Sequence, residues 1–295
     1  MRTPFRRGWA MECGKGAVYT IYSSTGCIRC KLVMQRLREL SEPYQEHDIK
    51  AEGKEAFQQF YTAQRKAIYR GPDGIEFPIL TDGHAIFQGL GPALARLQAG
   101  ERLRGFFRIG CLHKEWLDGI SVSGGPAARA EDFLAVLRFL RKHAMKLEVA
   151  TNGKNADLLG AVVRECLADR LIMTVLGPPA RYAELAGEAV GEDEVRKSIQ
   201  LVAGFPERQF QTVIAPVRSD DGRRCYLTPD EIAETAARIE QDSGSKQQPY
   251  LLRLFRPPAG NDAAMDLPPM ESGELFPYRS RAREFQVKTE IEREA

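Results

Sequence analysis

The 295-residue sequence has no apolar run approaching ~18 residues, so nothing in it reads as a membrane-spanning helix. It also has almost no net charge: 42 Lys and Arg stand against 40 Asp and Glu, a balance of +2. That removes the electrostatic argument for nucleic acid as the main partner. The basic start, "MRTPFRRGWAMECGKGAV", lacks an apolar segment and a small-residue cleavage site, and does not read as a secretory leader. Histidine is scarce, and no second close Cys or His pair completes the four ligands of a structural zinc site. The six cysteines (Cys13, Cys27, Cys30, Cys111, Cys166, Cys225) are too sparse for a disulfide scaffold. The expected compartment is the reducing cytoplasm, where Cys-x-x-Cys reads as redox or metal chemistry.

What is present is a chain long enough for about two domains, 43% hydrophobic and 28% charged, as in ordinary globular proteins. The close cysteine pair lies in "SSTGCIRCKLVMQRLREL". "AVYTIYSS" before it predicts a strand. After Gly26, the spacing of Leu32, Val33, Met34, Leu37 and Leu40 predicts an amphipathic helix with Cys30 in its first turn. Cys27 then sits at the helix N-terminus, where unsatisfied N–H groups and the dipole favour an anion. Arg29 and Lys31 add positive charge beside it, so the Cys27 thiol is expected to ionise below its usual ~8.5. A lower value raises the fraction of Cys27 ready to attack a disulfide and makes it a better leaving group afterwards. On the residues alone a vestigial dithiol, a metal site and a cluster bridged between two chains through Cys27 remain alternatives. "YQEHDIK" predicts a second strand and "GKEAFQQFYTAQRKAIYR" a second helix. Asp82-Gly83 between two apolar runs predicts a hairpin, Pro78 is tolerable at its strand start, and Gly89, Gly91 and Pro92 lead into a short helix.

Residues 17–100 resemble the glutaredoxin branch of the thioredoxin fold. The resemblance rests on Cys27-x-x-Cys30 after a strand, Phe77-Pro78 before a hairpin, and the Gly89/Gly91 turn. It implies that Cys27 is the nucleophile, that Cys30 resolves, and that Pro78 is a cis proline facing the dithiol. Arg29, Phe77, Pro78 and Gly89 would then line the substrate groove. The family's Pro-Tyr between the cysteines is Ile28-Arg29 here, and its Gly-Gly followed by acidic residues is only partly present as "QGLGPAL". A protein disulfide or dithiol is therefore the expected substrate, with glutathione as the alternative.

From "QAGERLRGFF" onward the composition changes. A basic helix is predicted around Phe106, Phe107 and Cys111, followed by alternating strands and helices: "GISVSGG", Glu131 to His143, "KLEVATNG", "ADLLGAVVRECLADR", "LIMTVLGP", "EDEVRKSIQLVAG", "QFQTVIAP", "TPDEIAETAARIEQ" and "PYLLRLFRP". This order predicts a parallel α/β sheet or partial barrel, with any site at the carboxyl ends of its strands. Thr228-Pro229-Asp230-Glu231 is a helix start, with Thr as cap and Pro in the first turn. His113 and His143 have no spacing partner and read as surface or packing residues; "DGRRCY" reads as a basic loop. The polar loop residues Ser123, Thr151, Asn152, Asn155 and Thr174 read first as turn and cap chemistry, and second as a pocket for a small molecule or a peptide.

This second part resembles the radical S-adenosylmethionine superfamily, closest to the activating proteins of anaerobic ribonucleotide reductase and pyruvate formate-lyase. The motifs are "WLDGISVSGGP", "ATNG", "LGPPARY", "FQTVIAP" and "LLRLFRP", in the family's order. The family's Cys-x3-Cys-x2-Cys is absent, and its Gly-Gly-Glu is Gly124-Gly125-Pro126. Neither a [4Fe–4S] cluster nor S-adenosylmethionine is therefore expected. Ser23-x3-Cys27-x2-Cys30 imitates the cluster spacing, but a serine hydroxyl is a poor iron ligand beside thiolates, and the residues that follow proceed as a redoxin.

The expected fold is α/β throughout: an N-terminal extension (1–16), a thioredoxin-like domain (17–100), a degenerate partial (β/α) barrel of radical S-adenosylmethionine type (101–277) and a charged tail (278–295). The expected function is thiol–disulfide exchange on a protein partner, with ribonucleotide reductase or a glycyl-radical enzyme implied by the second resemblance. The rivals are a non-enzymatic adaptor with both domains retired from chemistry, and an iron–sulfur enzyme.

Overall fold

The computed structural model describes residues 18–71, 74–110, 112–113, 116–219, 221–256, 267–268 and 270–292. The N-terminal extension, Cys13 and Cys111 lie outside the described residues. The chain forms two compact units, residues 1–97 and 98–295.

The first unit runs β1 (Tyr19–Ser23), α1 (Ile28–Glu39), β2 (Tyr44–Asp48), α2 (Lys54–Gln64), the short pair β3 (Arg70–Gly71) and β4 (Gly74–Ile75), the hairpin β5 (Ile79–Thr81) and β6 (Ile86–Gln88), then α3 (Leu90–Ala99). Its four-stranded sheet has the order β2-β1-β5-β6. β1 is parallel to β2 and antiparallel to β5, and β5 is antiparallel to β6. A parallel neighbour needs a crossover, and α1 supplies it. The hairpin turns where the sequence predicts: Asp82 Oδ1 accepts the N–H groups of His84 (3.0 Å) and Ala85 (2.8 Å), and Gly83 takes a φ of 86°. Phe57, Phe60 and Tyr61 share one face of α2 by their spacing. They pack with Phe77 against the buried residues Tyr22, Ile68 and Ile79, with the Tyr22 and Phe60 rings 4.4 Å apart. This aromatic cluster fixes β1 against β5, and so fixes where the loop after β1 begins.

The second unit continues with β7 (Leu112–His113), β8 (Trp116–Ser121), α4 (Ala130–Lys142), β9 (Lys146–Thr151), α5 (Ala156–Arg164), β10 (Arg170–Thr174), α6 (Pro179–Ala186) and α7 (Glu192–Ala203). It then carries β11 (Arg208–Ile214), the hairpin β12 (Pro216–Arg218) and β13 (Arg224–Tyr226), α8 (Pro229–Ser243), β14 (Tyr250–Leu254), α9 (Phe276–Ala282) and β15 (Thr289–Ile291). The large sheet has the order β15-β14-β11-β10-β9-β8-β7. Every pairing from β8 to β15 is parallel, and β7 is antiparallel to β8. Successive strands are added on one side, so right-handed crossovers carry the helices to one face. The burial pattern agrees with this: Leu147, Val149, Leu171, Met173, Phe210 and Leu252 are fully buried, while their neighbours Glu148, Ile172, Gln209 and Leu251 are half-buried. On the half-buried face Arg170 pairs with Glu148 (3.1 Å), donates to Gln209 (2.9 Å) and lies over the Trp116 ring. Among the described residues no helix is long and apolar enough to cross a membrane.

Three expectations change, and one helix lies where the sequence analysis places no element. The helix predicted around Phe106 and Phe107 is a 3-10 turn (Gly100–Leu103) followed by irregular chain that hydrogen-bonds to β8, Arg108 N–H to Gly119 O at 2.8 Å and Ser121 N–H to Phe106 O at 2.8 Å. The consecutive phenylalanines both bury against Phe133, at ring distances of 5.0 and 5.3 Å, and this packing outweighs helical propensity. "PPARYAELAG" is a helix, α6, with Pro179 in its first turn and Gly187 left-handed at its end. The basic loop "DGRRCY" is largely strand β13 and its turn, with Arg223 paired to Asp221. The charged tail from 278 is structured through residue 292: α9 packs on α8, and β15 joins the sheet beside β14, with Gln286 and Thr289 fully buried.

The turn after β8 is set by close backbone approach. A Cβ on Gly124 would lie 2.0 Å from the carbonyl oxygen of Gly105, and one on Gly125 would lie 2.2 Å from the Phe106 ring. Gly124→Ala is therefore expected to lower the chemical-denaturation midpoint by the equivalent of ~1–3 kcal/mol. Gly273→Ala, where a Cβ meets nothing within 4 Å, is expected to leave it within ~0.5 kcal/mol.

Candidate dithiol site

The site begins at the carboxyl end of β1. Ser23 ends the strand, and its buried hydroxyl donates to Glu46 Oε1 at 2.6 Å. Thr25 is held by Asp48, which accepts both its N–H (3.1 Å) and its hydroxyl. The backbone closes the same loop through Ile49 N–H to Ser23 O (3.0 Å) and Cys27 N–H to Ser24 O (2.9 Å), while Gly26 supplies the left-handed turn at φ 85°. Asp48 is half-buried, and its carboxyl titrates below the usual range because the Thr25 hydroxyl and then the Lys50 N–H donate to it. The loop after β1 is thus tied to the end of β2 before α1 starts.

Cys27 is the N-cap of α1. Its backbone is extended, with φ −72° and ψ 111°, and its Sγ accepts the N–H of Cys30 at 3.3 Å. The sulfur occupies the place of a capping oxygen, so the first-turn N–H groups converge on it. Cys27 is half-buried, Cys30 is only 1% exposed, and Ile28 between them is 54% exposed. The Cys27 thiol is pulled down to about 6. The largest cause is a hydrogen bond from the Cys30 thiol; burial opposes it, and the Cys30 N–H, the Arg29 charge and the Arg29 N–H add to it. Cys30 is pushed up, first by giving its proton to that hydrogen bond, then by burial and by the Cys27 charge. Arg29 acts on the thiolate as expected, by its charge and its N–H, while its Nη1 is also engaged by Glu76 Oε2 at 2.6 Å, with both side chains largely buried. Lys31 is exposed.

The other residues expected at a substrate groove, Phe77, Pro78 and Gly89, belong to the chain around β5 and β6. Tyr22 opposes Ile79 in the antiparallel β1–β5 pair, which sets Pro78 opposite the end of β1. The Phe77–Pro78 peptide is cis. Pro78 O accepts the N–H of Gly89, itself at φ 91°, at 2.8 Å. The Phe77 ring turns into the aromatic cluster, 5.5 Å from Phe57. The Arg29–Glu76 pair joins the first turn of α1 to the chain two residues before Pro78. Sequence reasoning missed Glu76, Asp48 and Glu46, because each acts through a partner more than twenty positions away.

Ser23 does not fit a cluster ligand, since it is buried and its hydroxyl is engaged by Glu46. Among the described residues no three His, Cys, Asp or Glu side chains stand together as a metal site. In the second unit the polar strand-end residues bind one another. Ser123 Oγ donates to Lys154 O (3.0 Å), accepts from Asn152 N–H (3.0 Å) and meets Thr151 Oγ1 (3.1 Å). Asn155 Nδ2 donates to Val122 O (2.7 Å) and Gly125 O (2.8 Å), and Thr174 accepts from Gln211 (2.9 Å). His143 packs on Phe139 and hydrogen-bonds its carbonyl at 2.8 Å. A cavity of about 200 Å³ lies beyond the end of β10, lined by Val175, Tyr182, Val195 and Arg238 among others. Cys166 is exposed and Cys225 half-buried, and among the described residues neither is in a disulfide.

No protein-family model matches the chain, and no curated protein matches its sequence.

Alkylation of Cys27 in the reduced protein by iodoacetamide is expected to rise with pH through a midpoint at about 6, because only the thiolate reacts. Cys30→Ala removes the largest stabilising hydrogen bond, so its profile is expected to move toward the ordinary thiol value of ~8.5. Because the folded value lies below the unfolded one, ionisation of Cys27 also stabilises the reduced fold. That contribution is full above roughly pH 8.5 and is lost as pH falls through about 6.

Proposed function

We propose that the chain is a thiol–disulfide oxidoreductase of glutaredoxin type acting in the cytoplasm on protein disulfides. The observation that carries this reading is the Cys27 sulfur: half-exposed at the start of α1, capped by the Cys30 N–H at 3.3 Å, with the Cys30 thiol buried behind it. The sheet order β2-β1-β5-β6, with its one parallel pair, supports a thioredoxin-like fold for residues 17–100. The parallel sheet built in chain order supports a partial (β/α) barrel for residues 101–277, of the radical S-adenosylmethionine type without its cluster, serving binding or positioning.

In the first step the Cys27 thiolate attacks one sulfur of the substrate disulfide. A Cys27–substrate S–S bond forms, the substrate's own S–S bond breaks, and its second sulfur leaves as a thiolate that takes a proton from water. In the second step Cys30 loses its proton and attacks the Cys27 sulfur, forming the internal disulfide and releasing the other substrate sulfur. Two electrons have then passed to the substrate, and an external thiol donor must return them. The order of steps follows from the causes acting on Cys30. While Cys27 is an anion, the hydrogen bond to it and its charge keep Cys30 protonated. Once Cys27 is in the mixed disulfide both causes vanish, and Cys30 becomes easier to ionise. Exposed Ile28 offers apolar contact to a protein chain beside the reacting sulfur. Ribonucleotide reductase and glycyl-radical enzymes are the partner classes proposed through the second unit.

Reduction of a protein disulfide such as that of insulin, coupled to a thiol reductant, is expected to fall at least ~100-fold in Cys27→Ser. Cys30→Ser is expected to hold a substrate protein as a mixed disulfide that reductant releases. Equal rates for wild type and Cys27→Ser would leave the adaptor reading in its place.

A further inference from the structure

Arg29 is the one cation inside the dithiol motif, and it is latched. Its guanidinium lies 2.6 Å from the Glu76 carboxylate, with side-chain exposures of 18% and 15%. Glu76 is itself held in place: its carbonyl accepts Gln88 Nε2 at 3.1 Å, and the buried Gln88 side chain makes two further bonds of 2.8 Å to the Tyr69 backbone. No acidic side chain stands in the first turn of α1 to do the same work locally. A free guanidinium one residue from Cys30 and two from Cys27 would draw an anionic disulfide onto the sulfur. Engaged by a fixed carboxylate, its charge still reaches the sulfur, but adds less to the field there than a free guanidinium would. The pair also joins the start of α1 to the chain two residues before Pro78.

We propose that Glu76 is a specificity-determining, positioning residue that latches Arg29, so that the Cys27 site takes neutral or basic protein segments and disfavours small anionic disulfides. The substrate assignment rests on the oxidoreductase reading; the latch does not. The latch can be measured on the reduced protein by comparing alkylation of Cys27 by iodoacetate, an anion, with alkylation by neutral iodoacetamide. The ratio of the two rates at one pH cancels the thiolate fraction and reports the field at the sulfur.

Freeing Arg29 in Glu76→Gln is expected to raise the iodoacetate-to-iodoacetamide ratio about threefold, the size of one unit charge acting ~6 Å away through water. Arg29→Gln leaves the carboxylate unpaired and is expected to lower the ratio by a similar factor. The double variant is expected to return within twofold of wild type, the sum of the two opposite shifts. A ratio unchanged in both single variants, or moved in the same direction by both, overturns the latch. Where Glu76→Gln fails to fold, Arg29→Gln carries the same test with the opposite sign. With turnover substrates of one scaffold, Glu76→Gln is expected to gain on dithiodipropionate (anionic) and lose on cystamine (cationic). If wild type reduces neither these nor a protein disulfide such as that of insulin, the oxidoreductase reading fails, while the alkylation ratios still decide the latch.

Discussion

The Cys27 sulfur is held as an anion by donors of its own helix, and the arrangement of the first unit serves that contact. A capping position needs the chain to enter α1 in an extended conformation, and the turn at Gly26 delivers it. The turn is fixed by Asp48 on Thr25 and by the backbone bond from Ile49 to Ser23. Those anchors hold only because β1 pairs with β2 on one side and with β5 on the other. The pairing with β5 in turn rests on the packing of Tyr22 and Ile79 against the aromatic rings of α2. A core residue such as Phe60 therefore bears on the thiolate through four links: ring packing, strand register, loop anchor and cap.

The two cysteines divide the work by burial. Cys27 reaches solvent and gathers donors; Cys30 is enclosed and gives its proton to its neighbour. The asymmetry follows from helix geometry: three residues apart at a helix start, one side chain caps the end while the other turns under the first turn onto the sheet. Glu76 adds a second kind of control, because it fixes where the Arg29 charge is rather than whether it exists.

The second unit shows how a motif can have a packing explanation. Gly124 and Gly125 each exclude a side chain because the chain at Gly105 and Phe106 passes against it. Ser123, Thr151 and Asn155 close the adjoining turns by hydrogen-bonding one another and nearby carbonyls. On the open side of the sheet the same self-sufficiency recurs in the Arg170–Glu148–Gln209 group.

Much of this was legible in the sequence where the signal was local. The apolar spacing of α1 and α4, the Asp82-Gly83 turn and the Thr228–Glu231 capping box each sit within a few residues, and each is where its pattern predicts. The errors were equally physical. Two consecutive phenylalanines read as helix until a neighbouring strand offered them hydrogen bonds and a pocket. Charges along residues 278–292 hid the few apolar and small residues that bury α9 and β15.

By itself, the sequence determined that a dithiol lies at the start of an amphipathic helix, because periodicity and capping act between near neighbours. Only the tertiary structure decided which charges reach that dithiol. Arg29 meets Glu76 and Thr25 meets Asp48 across strands, and electrostatic effects depend on distance in space, which chain position does not specify.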